Sequence, residues 1–242
     1  MCILSPELSR QQKALRAAFG RSVYANLTFP LSRNIIKKRQ LLTKNSNQSI
    51  DIFAMIITHS REKLINAVLY FSQKTKFCGK TKLMKLLYFL DFMHFKNTGK
   101  SVTDLNYFAW EQGPVPKIFF EEISDSPQKD LKSLVTVKDT GDFQHIAPKK
   151  GKKPDLDFFS PRELKLLKDI SLIFRDVQAK EISDISHLPN EPWNTTKATK
   201  GMLALIDYAL AIDSKSAKKL PVDIAKQRHR ERQEMLHNFG VA

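Results

Sequence analysis

A few residue patterns in this 242-residue chain are of the kind that carry chemistry, and the first is Gly79-Lys80-Thr81. This tripeptide has the ending of a phosphate-binding loop, in which a lysine and a hydroxyl hold phosphate and magnesium. The motif needs a glycine at position 74, which is Lys74 here, and a preceding strand, where the sequence instead predicts a helix. The tripeptide therefore does not indicate nucleotide binding.

Paired acids and histidines give no stronger signal. Asp155 and Asp157 would alternate faces on a strand, and Glu121 and Glu122 would diverge on a helix, so neither pair suits general acid–base catalysis. The sequence therefore predicts no enzyme, no cofactor and no metal, while an enzyme with a site assembled from distant residues stays open as an alternative. The histidines are scattered without a third ligand for any close pair, at His59, His94, His145, His187, His229 and His237.

His187 follows a helix predicted over Ala179 to Ser186 and precedes Pro192-Trp193. A helix C-terminus favours the charged form of a histidine and offers it free carbonyl groups, so a structural role is sufficient. The alternative is a partner contact, in which Trp193 supplies buried area and His187 a hydrogen bond.

A stiff turn of aromatic residues, glycine and prolines occupies the middle of the chain. Tyr107 to Trp110 predict a short strand that leads into Gly113-Pro114-Val115-Pro116 and a helix over about Lys117 to Ile123. Gly113 can take positive φ, both prolines fix φ, and Pro116 suits the first helical position. Trp110 and the prolines then either anchor a corner in the core or, with Tyr107, form an exposed edge that a partner binds.

The preceding helix, predicted from an N-cap at Thr81 to a stop at Gly99, is apolar on nearly every side. Leu86 and Leu87 lie on one apolar stripe and Tyr88 on a second, which predicts a helix in the middle of a domain. A narrow polar face remains, led by Lys82, Lys85 and Asp91.

The other predicted elements surround this helix. Two strands flank the loop Thr140-Gly141-Asp142, and the aromatic strand is expected to join them as the third member of one antiparallel sheet. Ser160-Pro161-Arg162-Glu163 is a capping box that opens a helix. The remaining predictions are helices over Arg61 to Ser72, Met202 to Ile212 and Pro221 to Phe239, and strands over Leu134 to Asp139 and Phe143 to Pro148.

Composition excludes several classes of protein. No apolar run reaches the length of about 18 residues that a membrane span needs, and the two cysteines support neither export nor a disulfide framework, so the expected compartment is the cytoplasm. The formal net charge of +15 raises nucleic acid as a partner. Part of that charge lies in residues 1–54, which hold nine basic and two acidic residues.

Three blocks together resemble a known family. Lys85-Leu-Leu-Tyr-Phe-Leu-Asp91, Ala109-Trp-x-x-Gly-Pro-Val-Pro116 and Ser186-His187-x4-Pro192-Trp193 are similar, in this order and spacing, to the Panacea domain of SocA-like antitoxins, also called phage-associated proteins. The resemblance covers about Met55 to Ile212. It implies a binding protein of bacterial or prophage origin that neutralises a toxin encoded next to it.

The resulting prediction is an α+β fold, mainly helical, with a small antiparallel sheet and a loosely ordered N-terminal extension. The predicted partner-binding residues are Tyr107, Trp110, Val115, Pro116, His187 and Trp193. The residues expected to hold the motif together are Leu86, Leu87, Tyr88, Asp91, Gly113, Pro114 and Pro192.

Three parts of the chain are expected: an extension over 1–54, the Panacea-like domain over 55–212, and a charged C-terminal helix over 213–242. The extension lies upstream of Met55, which is a candidate natural start. A nucleic-acid-binding regulator is the alternative function, with Arg33 to Lys44 and the C-terminal helix as its basic surface. Whether the toxin is occluded or delivered to a protease stays open.

Overall fold

A computed structural model describes residues 46–139, 141, 143–212 and 220–238, with backbone alone for residues 46–58. The basic segment Arg33 to Lys44, most of the expected extension, and Thr140 and Asp142 of the predicted loop lie outside these residues. The protein is mainly helical with two small antiparallel sheets, which confirms the predicted fold class. The elements are α1 (Ser46–Lys74), α2 (Lys80–Thr98), β1 (Phe108–Trp110), β2 (Gly113–Val115), α3 (Lys117–Asp125), α4 (Lys129–Leu134), β3 (Val135–Asp139), β4 (Gln144–Pro148), α5 (Pro161–Ile173), α6 (Ala179–Ser186), α7 (Pro192–Lys200), a short 3-10 helix (Tyr208–Ala211) and α8 (Val222–Asn238).

Helix α1 is longer than predicted. It begins at Ser46 and passes through Met55 without interruption, so residues 46–54, expected as part of the loose extension, are helical. No glycine or proline interrupts residues 46–60, and the sequence therefore contains no breaker that would delay the start of the helix. Its buried side chains, including Leu64, Val68 and Phe71, pack against α2.

Helix α2 lies at the centre of the fold, as its apolar pattern predicts. The predicted stop at Gly99 is confirmed, because Gly99 has φ of 70° and its N–H donates to the carbonyl of Phe95. The predicted N-cap at Thr81 is wrong, since the helix begins at Lys80 and Gly79 is the N-cap.

The narrow polar face of α2 lies inside the fold, because Lys82, Lys85 and Asp91 are all fully buried. The Lys82 ammonium donates to the carbonyls of Lys76 and Val177, each at 2.6 Å. Asp91 accepts hydrogen bonds from the Val102 and Thr103 N–H groups, the Thr103 hydroxyl and the Tyr107 hydroxyl. These charges are buried because loop carbonyls and N–H groups replace the water they lose.

The strands form two separate antiparallel hairpins, β1–β2 and β3–β4. The β3–β4 hairpin has the predicted position, and Val137 pairs with Ile146. The prediction that the aromatic strand joins this sheet is wrong. β1 pairs with β2 on one side and with residues 203–206 on the other, so neither edge of β1 remains open.

The prediction of a helix over Met202 to Ile212 is also wrong, because part of this segment is hydrogen-bonded to β1. Residues 204–206 run along β1 and the Leu203 N–H donates to the Ala109 carbonyl. Within the predicted range, helical turns appear only as the 3-10 helix, which the Asp207 carboxylate caps by accepting from the Ala209 N–H. Leu203 has φ of 64°, which interrupts a helical path. The hydrogen bonds offered by β1 outweigh the helical tendency of this apolar segment.

Helices α5, α6 and α8 have the predicted positions, whereas α7 was not predicted. The capping box of α5 is present, with the Ser160 hydroxyl accepting from the Glu163 N–H and the Glu163 carboxylate accepting from the Ser160 N–H. Helix α8 is not simply a solvated surface, because Arg232 donates to the buried Asp104 carboxylate. Among the described residues, no helix is long and apolar enough to cross a membrane.

Candidate partner-binding corner

Three blocks that are far apart in sequence meet at one corner of the fold. We call Trp110, Gly113–Pro116, His187 and Trp193 the aromatic corner. The β1–β2 hairpin packs here against the end of α6 and the start of α7. The Trp193 indole N–H donates to the Trp110 carbonyl at 2.9 Å, and the His187 ring stacks on Trp193 with centroids 3.9 Å apart.

Gly113 lies where the β1–β2 hairpin packs most closely against Lys85 of α2 and the end of α6. It has φ of 104°, as predicted, in a region that other residues rarely adopt. A Cβ atom at this position would lie 2.7 Å from Cε of Lys85, 2.8 Å from Nε2 of His187 and 2.9 Å from Oγ of Ser186. Both the backbone and the packing therefore require glycine.

The prolines shape the hairpin and the helix after it. Pro114 lies opposite Ala109 in the two-stranded pairing, and its carbonyl accepts from the Lys85 ammonium at 3.0 Å. Pro116 is the N-cap of α3 and Lys117 is its first helical residue, so the prediction of Pro116 at the first helical position is wrong by one residue. Its carbonyl accepts from the Phe120 N–H, so the turn leads directly into the helix.

The polar groups beneath Gly113 are disfavoured in their charged forms. Burial lowers the pKa of Lys85 to about 7. Burial also lowers the pKa of His187, and the nearby Lys85 charge lowers it further. The expectation that the helix C-terminus favours charged His187 is therefore wrong, because burial and the neighbouring Lys85 disfavour a positive charge there.

The predicted partner-binding residues differ in their exposure. Tyr107, Val115, Pro116 and Trp193 are buried, and the Tyr107 hydroxyl donates to Asp91 at 2.8 Å in the core. Tyr107 is therefore not presented at an exposed edge. Trp110 and His187 are half-buried and remain open to solvent on one side.

The predicted motif residues lie behind this corner. Leu86, Leu87, Tyr88 and Asp91 are buried along α2, and Tyr88 contacts Tyr107 edge to face with centroids 5.6 Å apart. Pro192 is buried at the start of α7, which positions Trp193.

Sequence reasoning missed the part of the surface that α3 contributes. The Trp110 ring contacts Phe120 edge to face at 5.1 Å, and the Lys80 ammonium lies 4.2 Å above the Phe120 ring. Ile118, two residues before Phe120 in α3, is 73% exposed. The signal was the apolar run at 118–120: α3 buries Phe119 and Ile123, so a residue next to Phe119 must face outward.

Among the described residues outside the aromatic corner, the reactive and charged groups are poorly placed for chemistry. Burial raises the pKa of the Cys78 thiol to about 11, which makes it a poor nucleophile. A cavity of about 370 Å³ is lined by residues from α1, α2 and α8, but its acids Asp104 and Glu163 are already paired with Arg232 and Lys63. Within the described ranges, no group of three histidine, cysteine, aspartate or glutamate residues is placed to hold a metal ion.

Comparison with known families agrees with the three sequence blocks. Residues 83–194 match the family model for the antitoxin SocA-like, Panacea domain. This match confirms the resemblance to the Panacea domain that the three sequence blocks indicate. The Panacea match is shorter than the expected 55–212, yet it contains all three blocks and every residue of the aromatic corner. Comparison with curated proteins and with solved structures found no match.

Proposed function

We propose that this protein is the antitoxin of a toxin–antitoxin pair and that it neutralises a toxin encoded by the neighbouring reading frame through protein–protein binding in the cytoplasm. The main support is that the three sequence blocks within the Panacea match meet at the aromatic corner, where the Trp110 side chain is half-buried. Rigid aromatic side chains held by stiff backbone are typical anchors of interfaces.

The predicted residues differ in burial, and we assign them different roles on that basis. Trp110 and His187 touch the toxin directly, since each keeps a solvent-facing side. Trp193, Val115 and Pro116 support them from beneath, and Tyr107 ties the hairpin to Asp91. A partner that covers Trp110 also covers the Phe120 ring, which contacts Trp110 edge to face.

The test begins with growth. The neighbouring reading frame is expressed under tight control with and without this chain, and the two products are co-purified. Toxicity that this chain relieves, together with a stable complex, supports the proposal. A harmless neighbour, or toxicity that this chain leaves unchanged, contradicts it.

Trp110→Ala tests the surface. Truncation of an interface anchor costs about 2 kcal/mol or more of binding, so the dissociation constant is expected to rise about 30-fold. Leu172→Ala is the matched control, because Leu172 is 71% exposed on α5, outside the aromatic corner. Equal affinity of both variants would remove the corner from the interface, and circular dichroism of the Trp110 variant shows whether its fold is intact.

Occlusion and delivery to a protease differ in the fate of the toxin. In the occlusion mechanism, the toxin persists in the complex and its half-life in cells does not fall when this chain is present. In the delivery mechanism, the half-life falls and recovers in a protease-deficient strain. A rigid apolar anchor serves either mechanism, so the half-life of the toxin decides between them.

A further inference from the structure

Residues 202–205 form an exposed apolar segment outside the Panacea match. Met202 is 41% exposed, Leu203 is 67% exposed and Leu205 is 49% exposed. Ile206 next to them is buried, so the outer positions are apolar although they do not contribute to the core. Edge segments are ordinarily protected by charged residues or proline, and positions 202–206 contain neither.

The segment is also the edge of a sheet. The Ala109 N–H donates to the Ala204 carbonyl at 2.9 Å, and the Ile206 N–H donates to the Tyr107 carbonyl at 2.8 Å. Because successive residues of a strand direct their backbone groups to opposite sides, the N–H and C=O of Leu205 point away from β1. Neither group has a hydrogen-bond partner in the part of the chain that the structure describes.

Leu203 is held in a conformation that its side chain disfavours. Its φ of 64° is uncommon for a branched apolar residue and is energetically unfavourable. An asparagine or glycine would relieve this strain. Leu203 therefore lowers the stability of the isolated fold, and it contributes little to the core because it is largely exposed.

The surroundings favour an acidic partner. Helix α7, which leads into the segment, contains Lys197 and Lys200 and no acidic residue. Two copies of this chain, each with a formal net charge of +15, repel one another as they approach. An acidic partner is attracted by the same charges. The segment also lies next to the aromatic corner, because β1 pairs with the segment on one side and with β2 of the corner on the other.

We propose that residues 203–206 receive an extended segment of the neutralised toxin as an additional strand. This inference rests on the proposed function. The toxin strand pairs with the N–H and C=O of Leu205, places apolar side chains at alternate positions over Leu203 and Leu205, and carries carboxylates that face Lys197 and Lys200. Strand addition of this kind takes its affinity from main-chain hydrogen bonds and its specificity from alternate side chains.

Hydrogen exchange tests the pairing directly. The full chain is measured free and in complex with the product of the neighbouring reading frame, and the Leu205 amide is followed. Strand addition is expected to slow its exchange at least about tenfold in the complex. A tight complex in which the Leu205 amide exchanges as fast as in the free chain overturns the inference and leaves the proposed function intact.

Leu203→Asn separates binding from folding. Asparagine tolerates positive φ, so thermal stability is expected to be unchanged or higher, while the dissociation constant rises roughly tenfold because the apolar side chain is lost. Leu172→Ala is the control and should bind normally. Normal binding by the Leu203 variant overturns the inference, even if Leu205→Pro, which removes the outward N–H, fails to fold.

Two further outcomes are distinct. If the Leu205 amide becomes protected in the free chain as its concentration rises, and sedimentation shows a dimer, the occupant is a second copy and the inference is wrong. If the wild-type chain forms no complex with the neighbour's product, the proposed function fails, and the toxin strand fails with it.

Discussion

Gly113 shows how one residue constrains the aromatic corner. Gly113→Ala is expected to lower the free energy of unfolding by about 3 kcal/mol, because it combines backbone strain with overpacking against Lys85, Ser186 and His187. Urea denaturation measures the loss. Gly151→Ala is the matched control: Gly151 also has positive φ, but a Cβ there meets nothing within 4 Å, so only the backbone cost of about 1 kcal/mol remains. Equal losses at both positions would show that packing beneath Gly113 is unimportant.

Lys85 gives the fold a dependence on pH. Its pKa is about 7 in the folded chain and 10.5 when unfolded, so between these values unfolding takes up a proton. The free energy of unfolding is therefore expected to rise with pH across this window, by up to about 1.4 kcal/mol per pH unit for one proton. Lys85→Met should flatten this rise in urea denaturation from pH 7 to 10. Part of the slope should persist, because burial also lowers the pKa of Lys82, to about 8. An unchanged slope in the variant would contradict the assignment to Lys85.

An ion pair between Arg232 and Asp104 joins helix α8 to the loop before β1. Burial would raise the pKa of Asp104, but hydrogen bonds from Arg232, Ser60 and Ser101 hold it below its usual value. Arg232→Ala leaves this carboxylate buried without its cation, so the free energy of unfolding at pH 7 is expected to fall by about 3 kcal/mol.

A double variant checks that the loss comes from the pair. Asp104→Asn removes the uncompensated charge, and asparagine accepts the positive φ of 56° at this position. The double variant should therefore be more stable than Arg232→Ala alone. If the two are equally stable in urea, the loss in the single variant comes from the packing of α8 and not from the charge.

Elements were predictable where one strong local signal decided them. The capping box fixed the start of α5, and Gly99 fixed the end of α2. Residues 203–206 were not predictable, because their apolar run suits a helix or a strand equally and the hydrogen bonds of β1 made the choice. The burial of Lys82 and Lys85 was not predictable, because charged side chains are ordinarily exposed. Their burial depends on carbonyl groups from distant loops, which no local pattern contains.

The candidate site was predictable in the same sense. The three blocks identified the residues of the aromatic corner, and the structure places Trp110, His187 and Trp193 together. The sequence did not show which of them are reachable. That depends on how α6 and α7 pack against the hairpin. Exposed Ile118 and Leu203 were missed because an apolar residue in an apolar run is ordinarily part of a core.

At the scale of the whole molecule, the folding unit is larger than the Panacea match. The match begins at Leu83 and ends at Asn194, so it leaves out α1 and residues 203–206. Leu64, Val68 and Phe71 of α1 are buried against the central helix, and without them α2 would expose one of its apolar sides. A chain limited to residues 83–194 is therefore expected to lack a cooperative thermal transition, because it cannot bury enough apolar surface.

A chain that begins at Met55 and keeps everything after it provides the comparison. It retains the buried residues of α1, the strand beside β1 and the Arg232 contact, so its melting temperature should match that of the full chain within a few degrees. Circular dichroism followed during heating measures both chains. A sharp transition for residues 83–194 alone would show that the matched segment folds independently. A large loss for the chain from Met55 would instead show that residues upstream of Met55 contribute to the fold.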